Sequence, residues 1–101
     1  FYTLEPKQLE EVFTEKTKAV IAVHLYGQSV DLNLILNFCN KHNLFLIEDA
    51  SQAHGAKYNN KRLGSVGHFG CFSCYPTKNL GAIGDAGLIT GPLDLDLISK
   101  I

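Results

Sequence analysis

The chain has 101 residues, one domain or part of one, and its 46% hydrophobic and 19% charged residues exclude a disordered polymer. Lys plus Arg is 9 and Asp plus Glu is 10, a formal net charge of −1, so there is no basic field to attract nucleic acid or an anionic membrane. No apolar run approaches the roughly 20 residues of a membrane span, no secretory leader is visible, and three cysteines without disulfide-rich spacing fit a reducing cytoplasm. The first residue is Phe rather than Met, and the chain reads as one continuous piece of something longer, without repeats or linkers.

Pro6 to Phe13 reads as a short helix, with Pro6 in its first turn and Leu9, Val12 and Phe13 on one face. Lys18 to Val23 is rich in Val, Ile and Ala without alternation, which predicts a strand buried on both faces. Asp31 is a good N-cap for a helix to about His42, because Leu32, Ile35, Leu36 and Cys39 repeat at helical spacing. Leu44 to Ile47 predicts a second doubly buried strand. Strand, helix and strand within about 30 residues make a βαβ unit with parallel strands.

Tyr58-Asn59-Asn60-Lys61 reads as the tight turn of a small hairpin. Phe69 to Tyr75 is a third strand, ended by Pro76. Gly81, Gly84 and Gly87 mark a flexible turn, Leu88 to Thr90 a short fourth strand, and a helix begins at Asp94. The expected fold class is therefore α/β, a mostly parallel open sheet with flanking helices.

Open parallel sheets bind ligands at the carboxyl ends of their strands. The first strand ends in His24, followed by Tyr26-Gly27-Gln28. The second ends in Glu48-Asp49. The third leads through Ser73 and Tyr75 into Thr77-Lys78-Asn79. Topology thus gathers a carboxylate, a hydroxyl and a lysine at one edge. Singly, each has a plainer reading as a helix cap or a surface charge; their convergence is what suggests a site.

Other motifs carry less. Cys71 and Cys74 are three apart on a strand, which sets them on opposite faces. With His54 and His68 they match no common zinc spacing, so no metal is expected. Glycines at 64, 67 and 70, and at 81, 84 and 87, fit neither the dinucleotide nor the P-loop pattern and read as turns and close backbone approaches.

The stretch Glu48-Asp49-Ala50-Ser51-Gln52-Ala53-His54-Gly55-Ala56, with Gly70-Cys71-Phe72-Ser73-Cys74-Tyr75-Pro76-Thr77-Lys78-Asn79-Leu80-Gly81, resembles the DegT/DnrJ/StrS family of sugar aminotransferases. His24-Leu25-Tyr26-Gly27-Gln28 is similar to the same family, and the likeness covers nearly the whole chain. The resemblance implies the large cofactor-binding domain of a fold-type-I pyridoxal 5'-phosphate enzyme, acting as a homodimer. It also implies an amino-terminal segment and a carboxyl-terminal domain outside residues 1–101. By that resemblance Lys78 is the catalytic residue and forms the Schiff base. Asp49 pairs with the pyridine nitrogen, Gln52 contacts the ring hydroxyl and Ser73 the phosphate. The implied reaction moves an amino group from an amino-acid donor such as glutamate to a keto group of a nucleotide-linked sugar, for polysaccharide, lipopolysaccharide or amino-sugar synthesis.

Cys74 stands where the family usually has an aromatic residue, and Ala86 where Gly is more usual; both look like packing changes. His54 reads as a core filler rather than a cofactor contact. A dehydratase of the same scaffold is the alternative, but those enzymes often carry His where this chain has Lys78. A non-catalytic cofactor-binding protein is a third reading, and intact Asp49, Gln52, Ser73 and Lys78 count against it.

Overall fold

The computed structural model describes residues 3–92. A 3-10 turn at Pro6–Gln8 runs into a one-turn helix, α1 (Leu9–Val12). Strand β1 (Ala19–Val23), helix α2 (Leu32–Lys41) and strand β2 (Phe45–Asp49) follow. A two-stranded hairpin, β3 (Lys57–Tyr58) and β4 (Lys61–Arg62), precedes β5 (Phe69–Ser73) and β6 (Gly87–Thr90). The helix expected from Asp94 lies outside the described residues.

The main sheet has the order β1-β2-β5-β6. β1, β2 and β5 are parallel, as the βαβ reading requires, and β6 closes the edge antiparallel to β5. β2 runs two residues past its expected end, to Asp49, and β5 stops at Ser73, two residues short. In the small hairpin Asn59 (φ 46°) and Asn60 (φ 65°) are both left-handed. That is the type I′ turn whose twist suits a two-residue connection.

Helix α2 starts where the sequence places it. Asp31 Oδ1 accepts from Leu34 N at 3.2 Å and from the Tyr58 hydroxyl at 2.8 Å, so one carboxylate caps the helix and ties the hairpin to it. Leu32, Ile35 and Cys39 are fully buried against Val20, Ala22 and Leu46. Each large aliphatic side chain among them contributes about 1.5–3 kcal/mol of burial.

The expectation that β1 and β2 are covered on both faces does not hold. Ile21 (61% exposed), Val23 (42%) and Phe45 (41%) look away from this cluster. Side chains alternate along a strand, and α1 and α2 both bury their apolar residues on the Val20, Ala22 and Leu46 side. No described helix covers the opposite face. Near α1, Leu9 is buried as expected, whereas Val12 is 70% exposed because the helix lasts only one turn.

Candidate active site

The carboxyl ends of β1, β2 and β5 stand side by side, with Val23 opposite Asp49 and Asp49 opposite Cys71. Asp49 points to the face of Val23 rather than into the core. Its Oδ1 accepts from Ser51 N at 3.0 Å, a local turn that fixes the carboxylate. Val23, His24, Leu25, Asp49, Gln52 and Lys78, with Ser51, line a cavity of about 250 Å³. A second cavity, about 480 Å³, is lined by Tyr26, Gln52, Thr77, Lys78 and Asn79. Gln52 and Lys78 belong to both.

Lys78 sits in a turn fixed by its neighbours' backbone. Lys78 N donates to Tyr75 O at 2.8 Å, and Cys74 brackets the loop, taking Ala82 N on its carbonyl and giving its N–H to Ala86 O, both at 2.8 Å. Gly81 lets the loop close this tightly, since a Cβ there would lie 2.5 Å from the Pro76 carbonyl oxygen. Cys74 and Ala86 thus meet through their backbones.

After β1 the chain turns sharply. Tyr26 has φ 55° and ψ 28°, a left-handed conformation costing a bulky residue about 1–2 kcal/mol. Tyr26 N donates to Gln52 Oε1 at 3.1 Å. A backbone N–H only donates, so Oε1 must be the accepting end, and the Gln52 amide nitrogen is left to donate elsewhere.

Asp49, Gln52 and Lys78, three of the four residues singled out by sequence, therefore meet at one cavity. Ser73 lines neither cavity. It shares the Asp49 face of the sheet at the end of β5, and its Oγ accepts from Tyr75 N at 3.3 Å. His54 packs on Phe72 with ring centroids 5.4 Å apart, and its buried ring nitrogens have no hydrogen-bond partner among the described residues. His68 accepts from Leu46 N at 2.9 Å, and Cys71 and Cys74 are free thiols. Among the described residues no group of three or more His, Cys, Asp or Glu is placed to hold a metal ion.

Sequence reading placed Glu48 beside Asp49 at the site edge, and this is corrected. Glu48 is fully buried on the opposite face. It accepts from His24 Nε2 (3.0 Å), Gly64 N (2.7 Å), Val66 N (2.7 Å) and Gly67 N (2.6 Å). Burial alone would raise its carboxyl, but the hydrogen bonds from His24, Gly67, Gly64 and Val66 outweigh that and hold it below the ordinary carboxylate value. An ionised carboxylate only accepts, so His24 Nε2 donates. Gly67 permits the loop's approach, because a Cβ there would lie 2.8 Å from Leu46 O. The signal was available in the sequence: consecutive strand residues cannot share a face.

This chain is similar to known proteins in sequence and fold. The family model described as the DegT/DnrJ/EryC1/StrS aminotransferase family matches residues 1–95. A dTDP-3-amino-3,6-dideoxy-alpha-D-galactopyranose transaminase of Aneurinibacillus thermoaerophilus is 55% identical over 89 residues, 88% of this chain and 24% of that protein. A pleiotropic regulatory protein of Geobacillus stearothermophilus is 52% identical over 88 residues, 87% of this chain and 24% of that protein. The crystal structure of S. venezuelae DesV in complex with a ketimine intermediate superposes with a TM-score of 0.86 at 40% identity, covering 97% of this chain and 26% of that one. The chain thus spans about a quarter of the length of the relatives it matches. With a family model matched over residues 1–95, this chain belongs to the DegT/DnrJ/EryC1/StrS aminotransferase family.

Proposed function

We propose that this chain forms the cofactor-binding part of a pyridoxal-phosphate-dependent aminotransferase that moves an amino group from a donor such as glutamate to a keto group of a nucleotide-linked sugar. The observation that carries the reading is the meeting at one cavity of Asp49 and Gln52, from the end of β2 and the turn after it, with Lys78 from the loop after β5. The transaminase name of one relative and the bound intermediate of one neighbour support it.

The residues present fit the cofactor. Asp49 offers a carboxylate to a protonated ring nitrogen. Gln52, with its oxygen taken by Tyr26, offers an amide N–H to the ring hydroxyl. Lys78 offers the amine that would hold the group covalently. Ser73 offers a hydroxyl to the phosphate from the same sheet face. When bound, the cofactor supplies an electron sink for breaking bonds at the carbon bearing the amino group.

The chain's own residues do the rest. Asp49 keeps the proton on the ring nitrogen through a charge-assisted hydrogen bond. Lys78, half-buried beside the apolar Val23 and Leu25, must be neutral to act. Its Nζ, freed of its bond to the cofactor, would be the base that moves a proton at the substrate's reacting carbon. The proposed enzyme is a cytoplasmic homodimer; free thiols at Cys39, Cys71 and Cys74 suit a reducing compartment. No described helix is long and apolar enough to cross a membrane.

The regulatory name of one relative raises a second reading, a protein that binds without catalysing. Lys78, Asp49 and Gln52, gathered with room beside them, favour catalysis. Incubating the full-length protein with glutamate and UDP- or dTDP-linked 3-keto and 4-keto hexoses, then measuring 2-oxoglutarate and amino-sugar, decides between them. Stoichiometric products support the enzyme; cofactor binding without either product supports the regulator.

A further inference from the structure

Among the described residues four non-glycine positions have positive φ: Asn43, Asn59, Asn60 and Tyr26. Asparagine tolerates that region; a tyrosine there is an outlier. Packing among the described residues does not explain it, because Tyr26 is 77% exposed there. The turn closes through the backbone, with Gly27 N donating to His24 O at 3.2 Å and Gln28 N to Leu25 O at 3.0 Å. Gly or Asn would make the same turn with less strain. Backbone outliers of this kind gather at functional sites.

The position says which function. Tyr26 lines the outer cavity, about 480 Å³, and not the inner one that holds Asp49. The shared residues, Gln52 and Lys78, bound the reacting centre between them. A cofactor ring held by Asp49 takes the inner cavity, which leaves the outer one to the other reactant. Its lining is an aromatic ring with the neutral polar Thr77, Asn79 and Gln52, and its one cation is Lys78. An amino-acid donor with two carboxylates calls for guanidinium partners, and none is among the described residues of this lining. A neutral, polyhydroxylated ring calls for an apolar platform with neutral hydrogen-bonding groups.

We propose that Tyr26 is a specificity-determining residue whose ring contacts the hexose ring of the acceptor in the outer cavity. This rests on the aminotransferase reading. The test is calorimetric binding to the full-length holoenzyme of UDP- and dTDP-linked keto-hexoses, with UDP and dTDP alone as controls. Tyr26→Ala should weaken the nucleotide sugar about tenfold or more and leave the free nucleotide unchanged, as expected when a contacting aromatic is truncated. Tyr26→Phe should bind within about threefold of the parent, because the ring makes the contact. Tyr26→Asn should bind the sugar as poorly as Tyr26→Ala while its melting temperature stays level or rises, since it relieves the turn. A purely structural Tyr26 would lower the melting temperature when replaced and leave sugar affinity alone. Unchanged sugar affinity in Tyr26→Ala and Tyr26→Asn overturns the proposal, and so does an equal loss of nucleotide and nucleotide-sugar binding. Glutamate-driven conversion of the cofactor, followed by absorbance in the same preparations, is a separate readout. Its absence in the parent counts against the aminotransferase reading, whereas binding alone decides the role of Tyr26.

Discussion

Glu48 and Asp49 are consecutive in β2 and serve opposite faces of the sheet. Glu48 accepts four hydrogen bonds in the core, from His24 and from the backbone of Gly64, Val66 and Gly67. Asp49, one residue on, lines the cavity with Lys78. The two carboxylates should therefore answer to the same substitution in different ways.

Glu48→Gln should destabilise the protein by about 3 kcal/mol, because the amide nitrogen cannot accept from the loop N–H groups it would face. The carboxyl of Glu48 is held below its ordinary value, so it contributes stability that is present above about pH 4.3, the unfolded value, and lost as pH falls through the lower folded value. Glu48→Gln should flatten that acid limb. Denaturant melts of parent and variant between pH 3 and 7 check this; equal stability at pH 7 would show that the four hydrogen bonds carry no net weight.

Asp49→Asn should leave melting nearly unchanged and lower turnover by roughly two to three powers of ten, about 3–4 kcal/mol, on the scale of other preorganised electrostatic contacts. An amide cannot hold a proton on the ring nitrogen as an anion does. A variant keeping more than a tenth of parental turnover would remove Asp49 from the proposed role.

Much of this arrangement is legible in the residues. Asp31 as a cap, the Asn59-Asn60 turn, the parallel β1 and β2 and the meeting of Asp49 with Lys78 all follow from short-range chemistry and the topology of parallel sheets. What was not legible depends on which way a side chain points. Glu48 and Asp49 look alike at a strand end, and only the two-residue period of the pleat separates them. The exposure of Ile21 and Val23 was missed because a run of Val, Ile and Ala reads the same whether one face or both are covered. The strain at Tyr26 has no sequence signature beyond the glycine that follows it.

Cys71 and Cys74 should be dispensable. Both are half-buried free thiols; Cys71 lies in β5 and Cys74 just past its end, and neither belongs to a metal-holding group among the described residues. Cys71→Ala and Cys74→Ala, singly, should leave metal content and redox sensitivity unchanged. One equivalent of zinc in the purified parent, lost on replacing either cysteine, would contradict this.

Residues 1–101 expressed alone should associate and should not transaminate. The sheet face with Ile21, Val23 and Phe45 is open, as is Ile89 at 77% exposure. Uncovered apolar strand surface and free edges promote aggregation. Sedimentation, cofactor absorbance and turnover check it together: a soluble monomer that binds cofactor one to one and turns over would refute the expectation.

Lys78 is the centre of the account, and covalent trapping tests it most directly. The purified full-length protein should be yellow, and borohydride should bleach it while fixing the cofactor to one side chain. Peptide mapping should then find the pyridoxyl group on Lys78, which stands with Asp49 and Gln52 at the cavity. A pyridoxyl group on Lys57, Lys61 or any other lysine, or none at all, would contradict the assignment.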